Sequence, residues 1–142
     1  MFSNIIVVWD GSTRARRVFD VALEIARRFS SRLKLVAVAM SAEHGGSEHD
    51  RAQSLESAQR FYAERGDALI AESHERGVTT ELVILAGSHP AEDVVEIARK
   101  SGADLIVVGR RGMSPVERLM IGNAADRIVR NAHCPVLVVG DD

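Results

Sequence analysis

The sequence predicts a small doubly wound α/β fold, in which helices cover both faces of a parallel sheet. Short runs of β-branched residues alternate along the chain with longer segments of helical period. Most positions in these runs are apolar, and Ile5–Trp9 and Pro135–Val139 are apolar throughout, which is typical of strands buried on both faces rather than on one. A chain of 142 residues that is 46% hydrophobic is long enough to form such a core, so we expect a single domain over residues 1–142.

The first half of the chain predicts two strands, each followed by a helix. The first strand, Ile5–Trp9, ends at Asp10-Gly11-Ser12, which is typical of a turn that leads into a helix. Apolar residues at helical spacing then predict an amphipathic helix whose buried stripe consists of Ala15, Val18, Phe19, Ala22, Ala26 and Phe29. Leu33–Ala39 is the second strand, and a polar stretch at 41–50 precedes a long helix from about Arg51 to Arg76.

The second half of the chain continues the alternation. Further strands are expected at Thr79–Leu85, Asp104–Val108 and Pro135–Val139. Pro90 suits the first turn of the helix that follows the third strand. Five strands separated by helices correspond to a flavodoxin-like, doubly wound five-stranded parallel sheet with helices on both faces.

The composition excludes several classes of partner. A formal charge of −2 and a pI near 6.2 lack the basic footprint of a nucleic-acid binder. The apolar runs are far too short to span a membrane. A single cysteine, Cys134, cannot form an internal disulfide, and Met1–Asn4 lacks the basic segment of an export signal, so we expect a cytoplasmic protein. No metal site is predicted from the scattered candidate ligands of the polar stretch, which are His44, Glu48, His49 and Asp50.

The ligand site is expected at the carboxyl ends of the strands, where open parallel sheets bind their ligands. Asp10-Gly11-Ser12 follows the first strand and Gly109-Arg110-Arg111-Gly112 follows the fourth. Their glycines allow the backbone to approach a ligand closely, and the two arginines would add charge-assisted contacts. Gly122 and Asn123 are expected to open the last helix, whose free N–H groups favour an anion. The segment Gly109–Ala125 is therefore predicted to bind phosphate.

The whole pattern resembles the universal stress protein family. The similar parts are the opening strand with its Asp10-Gly11-Ser12 end, the spacing Gly109-x2-Gly112-x9-Gly122, and the closing segment 131–139, Asn-Ala-His-Cys-Pro-Val-Leu-Val-Val. Members of this family are flavodoxin-type α/β domains that often bind ATP or AMP and form homodimers. They are associated with survival under stress rather than with a settled reaction. The resemblance therefore implies a regulatory protein that binds an adenine nucleotide.

The resemblance also implies roles for individual residues. Asp10 would lie against the ribose and adenine, and the backbone of Val38 would meet the adenine. The three glycines, with the two residues after Gly122, would hold the phosphates. The predicted nucleotide-binding residues are Asp10, Gly11, Ser12, Val38, Gly109, Arg110, Arg111, Gly112, Gly122, Asn123, Ala124 and Ala125.

One departure from the family pattern concerns the phosphate end. ATP-binding members usually have Ser or Thr after the third glycine and often a second hydroxyl two positions later, whereas this chain has Gly122-Asn123-Ala124-Ala125. Asn123 can still cap a helix and donate from its amide, but the alanines offer only backbone N–H groups. Each missing hydroxyl contact is worth about 1 kcal/mol. The expected ligand is ATP or AMP, with Mg²⁺ accompanying ATP, and the departure favours AMP or ADP.

Three other functions are compatible with this order of elements. A slow ATP-hydrolysing enzyme would use the same site, although the sequence shows neither a nucleophile with its base nor a Walker Lys-Ser/Thr after the glycines. A phosphoacceptor receiver domain needs an acidic pair after the first strand, where only Asp10 stands, and an aspartate where the third strand ends in Leu85-Ala86-Gly87. A flavin domain would need more aromatic residues than the 4% of this chain.

The last strand predicts a partner. An apolar strand at the end of such a chain is expected to form an edge of the sheet, and an exposed apolar edge favours pairing with another strand. We therefore expect a homodimer built on residues 135–139.

Overall fold

The computed structural model describes residues 1–39, 48–87, 89–110 and 117–140. The strands are β1 (Asn4–Val8), β2 (Arg32–Ala39), β3 (Thr80–Ala86), β4 (Leu105–Gly109) and β5 (Val136–Val139). The helices are α1 (Thr13–Phe29), α2 (Glu48–Glu75), α3 (Pro90–Lys100) and α4 (Glu117–Asn131). Each predicted strand is present within one residue of its expected ends.

All five strands are parallel and lie in the order β3-β2-β1-β4-β5. The chain builds outward from β1 to β3 and then returns to the other side of β1 with β4. This confirms the predicted flavodoxin-like, doubly wound class, although β4 here takes the place beside β1 that β3 takes in flavodoxin itself. The strand order reverses between β1 and β4, so the crevice lies next to the first strand, as expected.

Alternate residues of the strands face two separate cores. In β1, Ile5 and Val7 face the core covered by α1 and α2, while Ile6 faces the core covered by α3 and α4. The same alternation in β4 sends Leu105 to the first core and Ile106 to the second. Burial on both faces explains why Ile5–Val8 and Leu105–Val108 are apolar at every position, since a strand has a side-chain period of two.

Two helices begin earlier than the sequence predicts. α2 begins at Glu48, and Glu48 and Asp50 in its first turn are favourably placed at the positive end of the helix dipole. α4 begins at Glu117, so the expectation that Gly122 and Asn123 open this helix is wrong. Glu117-Arg118-Leu119-Met120 consists of strong helix formers, which favours the earlier start.

The buried stripe of α1 ends before Phe29. That side chain is 50% exposed and meets Phe2 edge-on, with 5.4 Å between the ring centroids. Ser30 ends the helix in the left-handed conformation at φ 55°, directly after Phe29.

Among the described residues, no helix combines the length and apolar character that a membrane span requires.

Candidate functional site

The turn after β1 is held by its own side chains. Asp10 Oδ1 accepts a hydrogen bond from the Ser12 N–H at 3.1 Å, and Ser12 Oγ accepts one from the Ala15 N–H at 3.0 Å. Ser12 is thereby the N-cap of α1. Gly11 lies in the left-handed region at φ 82°, which glycine adopts without strain. The turn therefore presents a carboxylate beside the positive end of a helix.

β1 and β2 bring two predicted site residues to the same level of the sheet. Val8 is paired with Val36, so Asp10 and Val38, each two residues further on, lie level with one another. The Trp9 N–H donates to the Val36 C=O at 2.9 Å, which extends the ladder past the end of β1. Because carbonyl directions alternate along a strand, the Val38 C=O faces the same side as that of Val36, beyond the end of β1. This carbonyl is placed to accept a hydrogen bond from a ligand in the crevice.

β4 brings the third predicted residue to this edge. Val7 is paired with Val107, and Gly109, the last residue of β4, stands two residues beyond that pair. β1 lies between β2 and β4 in the sheet. The structure therefore brings Asp10, Val38 and Gly109 together at the carboxyl edge, on both sides of the point where strand order reverses.

Arg110 is directed away from the crevice and toward β5. Its N–H donates to the Val139 C=O at 2.9 Å, and its guanidinium carbon lies 3.9 Å from where a Cβ on Gly140 would stand. Arg17 of α1 donates from Nε to the Gly140 C=O at 3.2 Å. Two guanidinium groups thus meet at the end of β5, so in this arrangement the charge of Arg110 lies beside β4 rather than between β1 and β4.

The remainder of the predicted phosphate segment is only partly described. Arg111 and Gly112 lie outside the described residues. Gly122 and Asn123 lie inside α4, whereas the N–H groups without a partner in a helix are those of its first turn. Ala124 is half-buried and Ala125 is 5% exposed against the core under α3 and α4, which leaves their side chains no role toward a phosphate. The part that these residues play in binding stays a prediction.

α2 contributes two side chains at this edge that were missed in the sequence analysis. Phe61 and Arg65 lie over Gly11, and the Arg65 guanidinium is 4.4 Å from the centre of the Phe61 ring. The two residues are four positions apart in a helix, a spacing that places side chains on one face. This aromatic–arginine pair was the available signal, but nothing in the sequence indicated that it would meet a turn fifty residues earlier.

The structure gives little support for metal or thiol chemistry. Within the described ranges, no group of three or more His, Cys, Asp or Glu side chains is arranged to hold a metal ion. Burial raises the pKa of the Cys134 thiol, and the nearby Asp104 carboxylate acts in the same direction. Both effects favour the protonated thiol over the thiolate, which is the reactive form.

Comparison with known proteins identifies relatives over almost the full length of the chain. The universal stress protein family matches residues 1–140. A universal stress protein of Methanocaldococcus jannaschii is 32% identical, with 98% of this chain and 82% of the relative aligned. One from Thermus aquaticus is 34% identical, with 98% and 99% aligned. The crystal structure of a family member from Burkholderia pseudomallei has a TM-score of 0.80 at 29% identity, over 97% of this chain and 96% of that one.

Some similar structures contain nucleotides. A universal stress protein solved in complex with cAMP has a TM-score of 0.66 at 25% identity, over 96% of both chains. An Arabidopsis thaliana family protein solved with AMP bound shares the fold, with a TM-score of 0.69 at 23% identity over 99% of this chain and 92% of that one. The family match over residues 1–140 and the relatives at 32% and 34% identity show that the chain belongs to the universal stress protein family.

Proposed function

We propose that this protein binds an adenine nucleotide at the carboxyl edge of its sheet. The observation that carries the proposal is the meeting of Asp10, Val38 and Gly109 on both sides of the reversal in strand order. In open α/β sheets this crevice is the usual ligand site. The proteins of this fold that were solved with cAMP and AMP support the choice of an adenine nucleotide.

Each of the three residues has a distinct part in the proposed complex. The Asp10 carboxylate accepts hydrogen bonds from the ribose hydroxyls, and the Val38 C=O accepts one from the adenine amino group. Gly109 lacks a side chain and lets the ribose and first phosphate approach the backbone at the end of β4. Beyond it, Arg111 and Gly112 complete the phosphate contacts.

The phosphate end favours a short phosphate chain. Asn123 and Ala125 stand where ATP-binding members usually have hydroxyl residues, and neither has a hydroxyl. Arg110 is turned toward Gly140. Losing two hydroxyl contacts removes about 2 kcal/mol from the binding of a terminal phosphate. We therefore propose that AMP and ADP bind at least as tightly as ATP with Mg²⁺, and that binding serves regulation under stress in the cytoplasm rather than turnover.

Calorimetric titration of the purified protein tests the proposal. AMP, ADP and ATP with Mg²⁺ should each give a stoichiometry of one per chain, and GMP, which has no amino group at position 6, should bind at least tenfold more weakly. Mass spectrometry of the freshly purified protein should detect an adenine nucleotide. Absence of binding for all three nucleotides contradicts the proposal, and repeated release of ADP from ATP would replace it with the slow ATPase.

We also propose that the protein forms a homodimer through β5. β5 is an edge of the sheet, and Leu137 and Val138 are 37% and 38% exposed there. Pro135 and Val139 accept hydrogen bonds from β4, so by alternation the N–H and C=O of Val138 face outward and are available to a second strand.

The substitution Val138→Pro removes an outward N–H without removing a bond to β4, and it should convert the dimer to a monomer in analytical ultracentrifugation. Val138→Thr keeps the backbone donor and a β-branched side chain, so this matched variant should remain a dimer. A wild-type monomer at micromolar concentration, or a folded Val138→Pro dimer, would contradict the assembly.

A further inference from the structure

Phe61 of α2 packs directly on the turn that carries Asp10. A Cβ placed on Gly11 would stand 2.8 Å from Cε1 and 3.2 Å from Cζ of the Phe61 ring. The ring therefore covers the Cα of Gly11 so closely that only glycine fits beneath it in this position. Phe61 is nevertheless 41% exposed, so part of the ring is open to solvent at the carboxyl edge of the sheet.

Arg65 contacts both this ring and the space above Gly11. Its guanidinium carbon is 4.4 Å from the Phe61 ring centre, and its Cδ is 3.4 Å from the Cβ position of Gly11. Throughout the part of the chain that the structure describes, no carboxylate lies within ion-pair distance of Arg65. Its charge is held at the turn by stacking on an aromatic face rather than by an acidic partner.

The ring is connected to the core beneath the turn. Phe61 meets Tyr62 edge-on with 5.4 Å between centroids, and Tyr62 meets Trp9 in the same way at 5.9 Å. Trp9 is 4% exposed and directly precedes Asp10. The Phe61–Arg65 pair over Gly11 is therefore connected, through the partly buried Tyr62, to the buried Trp9 next to the turn.

We propose that α2 forms a third wall of the nucleotide site, in which Phe61 is a positioning residue and Arg65 selects for charged ligands. By holding Gly11, Phe61 keeps the Asp10 carboxylate oriented toward the ribose. The charge of Arg65, which meets no carboxylate among the described residues, lies beside the same turn and favours an adenosine phosphate over uncharged adenosine. This inference rests on the proposed function and adds to it the basis of selection between nucleotide and nucleoside.

Calorimetric titration with AMP and with adenosine separates the two roles. Phe61→Ala should weaken the binding of both ligands about tenfold, because misplacement of a positioned group reduces every contact that it makes. Phe61→Leu, which keeps an apolar cover on Gly11, should recover most of this loss. Arg65→Met keeps the length of the side chain but not its charge. It should weaken the binding of AMP about threefold and leave the affinity for adenosine unchanged.

Phe29→Ala is the matched control for Phe61→Ala. Phe29 is also about half exposed and also meets another aromatic ring edge-on at 5.4 Å, but it lies at the end of α1 away from the site. The two alanine variants should have similar melting temperatures, and only Phe61→Ala should lose affinity. Equal affinities in both would overturn the role of Phe61, and equal loss of AMP and adenosine in Arg65→Met would overturn that of Arg65. A wild-type protein that binds neither ligand overturns the proposed function and this inference with it.

Discussion

Asp10 and Asp104 are two aspartates at opposite ends of the same sheet, and they are used differently. Asp104 precedes β4, and its two oxygens accept hydrogen bonds from the Ser3 and Asn4 N–H groups at 2.8 and 2.9 Å. These bonds join segments a hundred residues apart in the chain. Asp10 follows β1, and its Oδ1 accepts a bond from Ser12, two residues further on. The Asp104 carboxylate thus links segments that are distant in sequence, whereas the Asp10 carboxylate stabilises the turn in which it lies.

The difference extends to the two ends of the sheet. At the amino end, Ser31 Oγ donates to the Phe2 C=O and the Asp104 N–H donates to the Asn4 C=O. Polar groups there join segments that are distant in sequence. At the carboxyl end stand the Asp10 turn, the Val38 carbonyl and Gly109. Substitutions at the amino end should therefore change stability, and those at the carboxyl end should change binding.

The largest effect is expected from Asp10→Asn, and it is an effect on AMP binding. The amide oxygen can still accept the Ser12 N–H, so the free energy of unfolding should stay within about 0.5 kcal/mol of wild type. The charged contacts to the ribose would be lost, which should weaken the binding of AMP by about 1.5–3 kcal/mol, or ten- to hundredfold. Calorimetry and urea denaturation on the same sample measure both quantities, and an unchanged Kd would exclude Asp10 from the site.

Gly11→Ala should reduce both the stability of the fold and the affinity for AMP. A residue with a side chain at φ 82° is strained, which should reduce the free energy of unfolding by about 1–2 kcal/mol. The new Cβ also displaces the Phe61 ring, which lies 2.8 Å away, and affinity for AMP should fall.

Gly77→Ala separates the strain at Gly11 from the displacement of Phe61. Gly77 has φ 78° and nothing within 4 Å of its Cβ position. Gly77→Ala should lose a similar amount of stability in urea denaturation and bind AMP normally. Weakened binding in this variant would mean that general destabilisation explains the result at Gly11.

Asp104→Asn should show the opposite behaviour to Asp10→Asn. The amide oxygen replaces one carboxylate oxygen and can still accept one of the two backbone hydrogen bonds. The NH₂ group replaces the other oxygen and, as a donor, must face the second backbone N–H. The free energy of unfolding should fall by about 1 kcal/mol, while the Kd for AMP stays constant. Asp20→Asn, which removes an exposed partner of Arg16 at 3.0 Å, is the control and should have a smaller effect on stability. A loss of AMP affinity in Asp104→Asn would contradict the division between the two ends.

The smallest effect is a dependence of stability on pH. Partial burial raises the pKa of Asp104, but the N–H donors of Asn4 and Ser3 outweigh it and hold the pKa below its ordinary 3.8. Because the folded pKa is the lower one, the carboxylate stabilises the protein above pH 3.8, and this contribution is lost as the pH falls through the folded value. The stability difference between wild type and Asp104→Asn should be constant from neutral pH to about pH 5 and should narrow below pH 4. A constant difference down to pH 2 would contradict the lowered pKa.

Much of the carboxyl edge could be predicted from the sequence because its signals are local. Asp10-Gly11-Ser12 has turn and capping residues directly after an apolar strand, and Ser12 is the N-cap. Gly109 was expected directly after the fourth strand and is the last residue of β4. The start of α4 was placed wrongly because Gly122-Asn123 resembles a helix start, whereas the strong helix formers at 117–120 favour an earlier one.

The sequence by itself determined the alternation of strands and helices, the parallel class of the sheet and the turns at its carboxyl edge. Each depends on side-chain period, apolar burial or turn chemistry within about ten neighbouring residues. Only the tertiary structure decided that β4 lies beside β1, that Arg110 faces Gly140, and that Phe61 covers Gly11. These contacts join residues that are distant along the chain, and they depend on how the helices pack on the twisted sheet, which no local pattern records.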